Sequence, residues 1–291
     1  MYQLSCCSTV DLPKSLLDDR GIAYIYMTYE IDGKSYHDDF GNSMSYDEFY
    51  TRIDNGSMAT TSQINPDGFI SHFSKILEKG MDVLHITLSS GLSGTYQSAK
   101  LAANILSKDY PDRKIYIVDS LGASSGTGML LLMASDMQNN GADIDEVYNW
   151  LESNKLKVNY LFSTENLTHL YRGGRLSAAS AMIGGMLNIC PTMFVDHKGR
   201  LKVDQKARGM KRAMRQLCDI MEIKADGGKD YSGYCFVSYS QRKELGNDLV
   251  AMVRERFPNV KDIRLLDIGC VIGSHLGPGA VCLFFIGKER S

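Results

Sequence analysis

Many of the signatures that commonly announce a function are missing from this 291-residue chain. Its seven cysteines, Cys6, Cys7, Cys190, Cys218, Cys235, Cys270 and Cys282, form no CxxC pair and show no His/Cys ligand spacing. An odd count, with several members inside apolar runs, points to reduced core thiols and away from a disulfide framework or a zinc site. Charge of one sign is also lacking. With 32 basic and 34 acidic residues the formal net charge is -2, so no global field favours nucleic acid or an anionic membrane. No apolar run approaches the length of a membrane span, and Met1-Tyr2-Gln3-Leu4 carries no basic n-region before an apolar core. A cytoplasmic protein without integral membrane association is expected. There is no Gly-x-x-x-x-Gly-Lys-Ser/Thr motif and no ligand cluster for Mg²⁺, so neither a metal nor a cofactor is expected.

What is present is concentrated in hydroxyl-rich turns. Val83 to Leu88 reads as a buried strand, and Ala99, Ala102, Ala103 and Leu106 fall on one face of a helix. Between them lies Ser89-Ser90-Gly91-Leu92-Ser93-Gly94-Thr95-Tyr96-Gln97-Ser98. A strand, a glycine-broken turn and a helix start bring free backbone N–H groups to Ser93, an arrangement suited to anions. Ser93 alone reads equally well as a helix cap. Two glycines and five Ser/Thr hydroxyls exceed what a cap requires. A second such turn, Ala59 to Pro66, precedes a helix from Asp67 to Glu78.

Strands and helices alternate through residue 155, which predicts βαβ units and a parallel sheet, with ligands beyond the carboxyl ends of the strands. Ile22 to Tyr29 reads as one of these strands. Near Leu156-Lys157 the rhythm changes to hairpin-like connections, so residues 1–157 are expected to form an α/β domain and 158–291 an α+β domain with a mainly antiparallel sheet. A basic helix is expected from Gln205 to Met221, carrying Lys206, Arg208, Lys211, Arg212 and Arg215. Residues 178–189, rich in Met, Gly and Ala, suit either core packing or an adaptable apolar lining. Arg172 and Arg175 flank two glycines, a spacing that suits phosphate, carboxylate or an inter-domain ion pair.

Taken in order, Ser8-Thr9-Val10-Asp11-Leu12-Pro13, Thr61-Ser62-Gln63, Ser90 to Ala99, Val118-Asp119-Ser120, Arg172-Gly173-Gly174-Arg175 and Gly273-Ser274-His275-Leu276-Gly277-Pro278-Gly279 resemble the DegV family of bacterial fatty-acid-binding proteins. The resemblance implies a tunnel between two domains that holds one long-chain fatty acid. It also implies a carboxylate grip by Thr61 and Ser93, with His275 close by and Ser62, Gly94 and Thr95 flanking. Some family members present the lipid to a separate ATP-dependent fatty acid kinase, so the chain itself is expected to be a binding subunit and not the catalyst. Arg172, Arg175 and Arg208 are then candidates for contact with phosphate or with that partner. One departure stands out: Cys6-Cys7 occupies the place of the family's usual Thr-Asp. A competing reading is a serine hydrolase, because Ser93, Asp119 or Asp267, and His275 follow the α/β-hydrolase order. Against it, Thr95 stands where the nucleophile elbow requires glycine.

Overall fold

The computed structural model describes residues 1–177 and 189–291. Its elements run β1 (Tyr2–Cys7), α1 (Lys14–Asp19), β2 (Ala23–Ile25), β3 (Thr28–Ile31), β4 (Lys34–His37), α2 (Tyr46–Asp54), β5 (Thr60–Ser62), α3 (Pro66–Leu77) and β6 (Asp82–Thr87). These are followed by α4 (Thr95–Asp109), β7 (Ile115–Asp119), α5 (Ser124–Asn139), α6 (Ile144–Asn154), β8 (Val158–Thr164) and α7 (Thr168–Arg172). The last described third holds β9 (Ile189–Val195), β10 (Leu201–Arg208), α8 (Met210–Lys224), β11 (Tyr234–Tyr239), α9 (Lys243–Arg256), β12 (Asp262–Asp267), α10 (Cys270–Leu276) and β13 (Ala280–Ile286).

The strands form three sheets. The first is parallel in the order β2-β1-β6-β7, as the βαβ alternation predicts. The second is a small antiparallel sheet, β4-β3-β5. The third, β10-β9-β8-β13-β11-β12, is antiparallel except for the β11–β12 pair. This is the expected α/β fold with a separate, mainly antiparallel sheet.

Local chemistry sets the helix starts. Ser45 accepts the Glu48 amide at 3.2 Å, Asn65 accepts that of Gly68 at 2.9 Å, and Asp143 with Glu146 closes a reciprocal capping box. The largest apolar cluster draws on both halves, with Leu84, Val118 and Met129 packed among Tyr160, Phe162 and Phe284. Each such burial contributes about 1.5–3 kcal/mol, and this cluster ties the two halves together, while two further clusters lie largely within one half each.

Three expectations are corrected. The strand over Ile22 to Tyr29 is broken: β2 pairs with β1, whereas β3 pairs with β4 and β5. At the break the Met27 amide donates to Ser8 Oγ (3.1 Å), and its carbonyl accepts from the Asp38 amide (2.8 Å). The second hydroxyl turn is in fact an edge strand, because Thr60 and Thr61 pair with Glu30 and Tyr29. The basic helix starts later than expected. Lys206 and Arg208 lie on β10, opposite Pro191 and Ile189, and Gly209 at φ +78° ends the strand. Only Lys211, Arg212 and Arg215 of that set are helical.

Candidate functional site

In the parallel sheet the chain steps from β1 to β2 on one side and from β6 to β7 on the other, so the order reverses between β1 and β6. Crevices open beyond strand ends at such points. A cleft of about 780 Å³, mouth included, is found here. Met27, Leu88 and Leu92 wall it from the first half, and Phe162, Val195 and Phe284 from the third sheet. Val271, Ile272 and Leu276 of α10 close another side. The proposed lining over residues 178–189 lies outside the described residues apart from Ile189.

The polar residues of the cleft include Thr61, Gln63, Ser93, Arg175 and His275. Thr61 reaches it from β5, and Gln63, just past the strand's end, lines the same cleft. Ser62 between them is exposed and outside the lining. His275 sits on α10, which corrects the glycine-loop placement. Its Nε2 lies 2.8 Å from Thr61 Oγ1. Burial, with Arg175 nearby, lowers the imidazole to about 4, so the ring is neutral at physiological pH. Its Nδ1 is buried without a hydrogen-bond partner among the described residues.

Ser93 closes its own small circuit. Its Oγ lies 2.8 Å from Thr95 Oγ1 and accepts the Thr95 amide at 3.2 Å. Thr95 opens α4 and is buried beneath this contact. Gly94 is held free of a side chain, since a Cβ there would come within 2.1 Å of Gln63 Oε1. The turn is clamped to the other half. Ser89 Oγ donates to the Gly199 carbonyl (2.8 Å), and a Cβ on Gly91 would fall 2.7 Å from the Lys198 carbonyl. Asp119 accepts the Ser90 and Leu121 amides at 3.1 and 3.0 Å, so it shapes the turn without lining the cleft.

Arg175 donates through Nε to the Leu92 carbonyl (3.0 Å) and through Nη1 to that of Gly173. A second cleft of about 630 Å³ adjoins the first and shares Thr61, Arg175 and His275 with it. Arg172 and His169 line this second cleft. Arg208, exposed on β10, lines neither.

The hydrolase geometry is not assembled. Ser93 bonds Thr95, His275 Nε2 is engaged by Thr61, Asp119 is committed to backbone amides, and Asp267 is exposed on β12. Cys6 and Cys7 point to opposite sides of β1 into different apolar clusters, and neither lines the cleft. No group of His, Cys, Asp or Glu able to hold a metal occurs among the described residues. No described helix is long and apolar enough to cross a membrane.

Gln63, Tyr160 and the apolar walls were not read from sequence as site residues. Gln63 had a signal, its place in the Thr61-Ser62-Gln63 motif; the walls come from elements distant in sequence.

The family model described as "Uncharacterised protein, DegV family" matches residues 7–288. The chain belongs to the DegV family. It is 38% identical over 283 residues to a DegV domain-containing protein of Clostridium perfringens, covering 97% of this chain and 96% of that one. It is similar to a DegV lipid binding protein from Thermotoga maritima, with a TM-score of 0.85, 30% identity and 100% of each chain covered. A DegV family protein from Thermus thermophilus, described as binding fatty acid, superposes with a TM-score of 0.87 at 29% identity, over 98% and 99% of the two chains.

Proposed function

We propose that this DegV protein binds one long-chain fatty acid in the apolar cleft and presents its carboxylate to a separate ATP-dependent fatty acid kinase. The carrying observation is the division of the cleft: aliphatic and aromatic walls, with Thr61, Ser93, His275 and Arg175 among its few polar side chains. A buried methylene contributes about 0.8 kcal/mol and a charge-assisted hydrogen bond about 1.5–3 kcal/mol, so the two environments suit the two ends of one amphiphile. When the neutral His275 ring donates from Nε2 to Thr61, the threonine proton is left free for an incoming carboxylate. Ser93 supplies a second hydroxyl from the turn before α4.

The Thr61–His275 pair lies between the apolar cleft and the adjoining one, where Arg172 and Arg175 stand. In this reading a phosphoryl donor approaches from the second cleft and the arginines receive phosphate charge. The chain has no phosphate-binding loop of its own, and the kinase supplies the transfer chemistry.

The test is mass spectrometry of lipid released from the purified protein, followed by an oleate titration. The expected result is a long-chain fatty acid near unit stoichiometry, with Ser93→Ala weakening oleate by roughly 10- to 100-fold, the equivalent of one charge-assisted hydrogen bond. Protein from lipid-replete cells that carries no fatty acid, together with unchanged oleate affinity in Ser93→Ala, would sink this reading.

A further inference from the structure

At the start of α10 stand two buried carboxylates, Asp11 and Asp38, with no ion-pair partner among the described residues. Asp11 follows β1 in a left-handed conformation (φ +46°), and Asp38 follows β4. Asp11 Oδ1 accepts the Gly269 amide at 3.0 Å. Asp38 Oδ1 accepts the next amide, Cys270, at 3.1 Å. The second oxygens are also occupied: Ser124 Oγ donates to Asp11, and Ser8 Oγ donates to Asp38 at 3.3 Å.

The two carboxylates converge on one point. A Cβ added to Gly269 would lie 2.9 Å from Asp11 Oδ1 and 3.3 Å from Asp38 Oδ1. Gly269 has φ -67°, open to any residue, so space and not conformation demands glycine. The amides they grip begin α10, the helix that carries His275. Other contacts hold the same helix from the first half. Tyr50 Oη donates to the Ile268 carbonyl at 2.8 Å, and its ring tip abuts Gly273. Helix α10 is therefore joined by the chain to the third sheet but oriented by residues of the first half.

Capping alone does not explain this pair. Ser45, Asn65 and Asp143 cap longer helices with single, solvent-exposed side chains. Burying carboxylates without a cation is costly. That cost shows in Asp38, which burial lifts to about 6, and in Asp11, which burial raises well above the usual range.

We propose that Asp11 and Asp38 are positioning residues: by fixing the Gly269 and Cys270 amides they hold His275 against Thr61 so that the pair meets a ligand carboxylate. The inference rests on the fatty-acid reading above. Asp11 acts on the cleft by a second route as well, since Ser124, the hydroxyl donor to it, is itself part of the cleft wall at φ +58°.

The experiment compares oleic acid with oleyl alcohol, which share a tail and differ in the head group. The wild-type chain prefers the acid. Asp38→Ala is expected to reduce that preference roughly tenfold while leaving oleyl alcohol affinity within about twofold. Asp38→Asn, whose amide oxygen still accepts the Cys270 N–H, falls between the two. It also shifts the His275 imidazole resonance in NMR spectra. Loss of acid and alcohol affinity together would show a merely structural role and overturn the proposal; so would an unchanged preference in Asp38→Asn and Asp11→Asn, the variants that decide if Asp38→Ala does not fold. A wild-type protein that binds oleate with no preference over the alcohol would instead remove the carboxylate site itself, and this inference with it.

Discussion

Gly173 shows how finely the cleft around His275 is set at the level of single residues. It lies between Arg172 and Arg175 in sequence, and a Cβ placed on it would fall 2.3 Å from His275 Nδ1. The ring therefore occupies space that only glycine leaves open. Gly173→Ala is expected to displace the imidazole from Thr61 and weaken oleate by about tenfold, the equivalent of one lost hydrogen bond, while oleyl alcohol binding holds. Isothermal titration with the two lipids checks this, and equal affinities for wild type and variant would contradict it. The placements that sequence made legible were those carried by short motifs. Thr61, Ser93 and His275 line one cleft as the family resemblance implied, and Arg175 joins them there. Tyr160 was not legible, because its place depends on β8 pairing with β13 and on the absence of side chains at Gly122 and Gly126, far away in the chain.

Elements were legible where a local signal dominates and illegible where pairing decides. The Ser45 and Asp143 starts follow from side chains three residues before their glutamates, a rule written within one turn. The edge strand at Thr60–Ser62 has no such local marker; it exists because β3 offers it a partner. Residues 205 to 208 have helical composition but extend β10 across from β9 until Gly209. Arg208, expected on a helix, consequently stands on a strand away from both clefts. At this scale α10 is the sensitive piece, being seven residues long and held largely by side chains outside it. Tyr50→Phe removes the bond to the Ile268 carbonyl and leaves the ring in place. The expected result is a loss of about 1 kcal/mol in urea-unfolding stability, with amide exchange accelerated first in residues 270–276. Uniform acceleration across the chain would contradict the assignment of Tyr50 to this helix.

For the whole molecule, the apolar cluster that ties the two halves together makes them one folding problem, and the buried titratable groups give its stability a pH dependence of mixed sign. Asp38 has a folded value of about 6, above the ordinary carboxylate range, so the native state holds its proton more tightly than the unfolded chain does. The stability tied to that proton is present below the unfolded value and is lost as pH rises toward and through about 6. His72 and His275 run the other way. Burial lowers both to about 4, so their contribution is present above the unfolded value near 6.5 and fades as pH falls through 4. Asp38→Asn isolates the first effect: the gap between variant and wild-type stability should change between pH 4 and 6 and be flat above pH 7. Urea titrations at a series of pH values read it directly, and a gap independent of pH would refute the assignment.

The hydrogen bonds beneath the parallel sheet have a consequence of their own. Ser5 Oγ lies 2.7 Å from His72 Nε2 and 2.9 Å from His85 Nδ1, and His85 Nε2 in turn faces Cys7 Sγ at 3.7 Å. Burial keeps both rings neutral, and one hydroxyl carries one proton. If Ser5 donates to His72, His85 must donate to Ser5 and receive the Cys7 thiol proton; if Ser5 donates to His85, every arrow reverses. With the serine proton kept within the row there are two proton arrangements, and in each the tautomer of His72 sets the orientation of a thiol that it never touches.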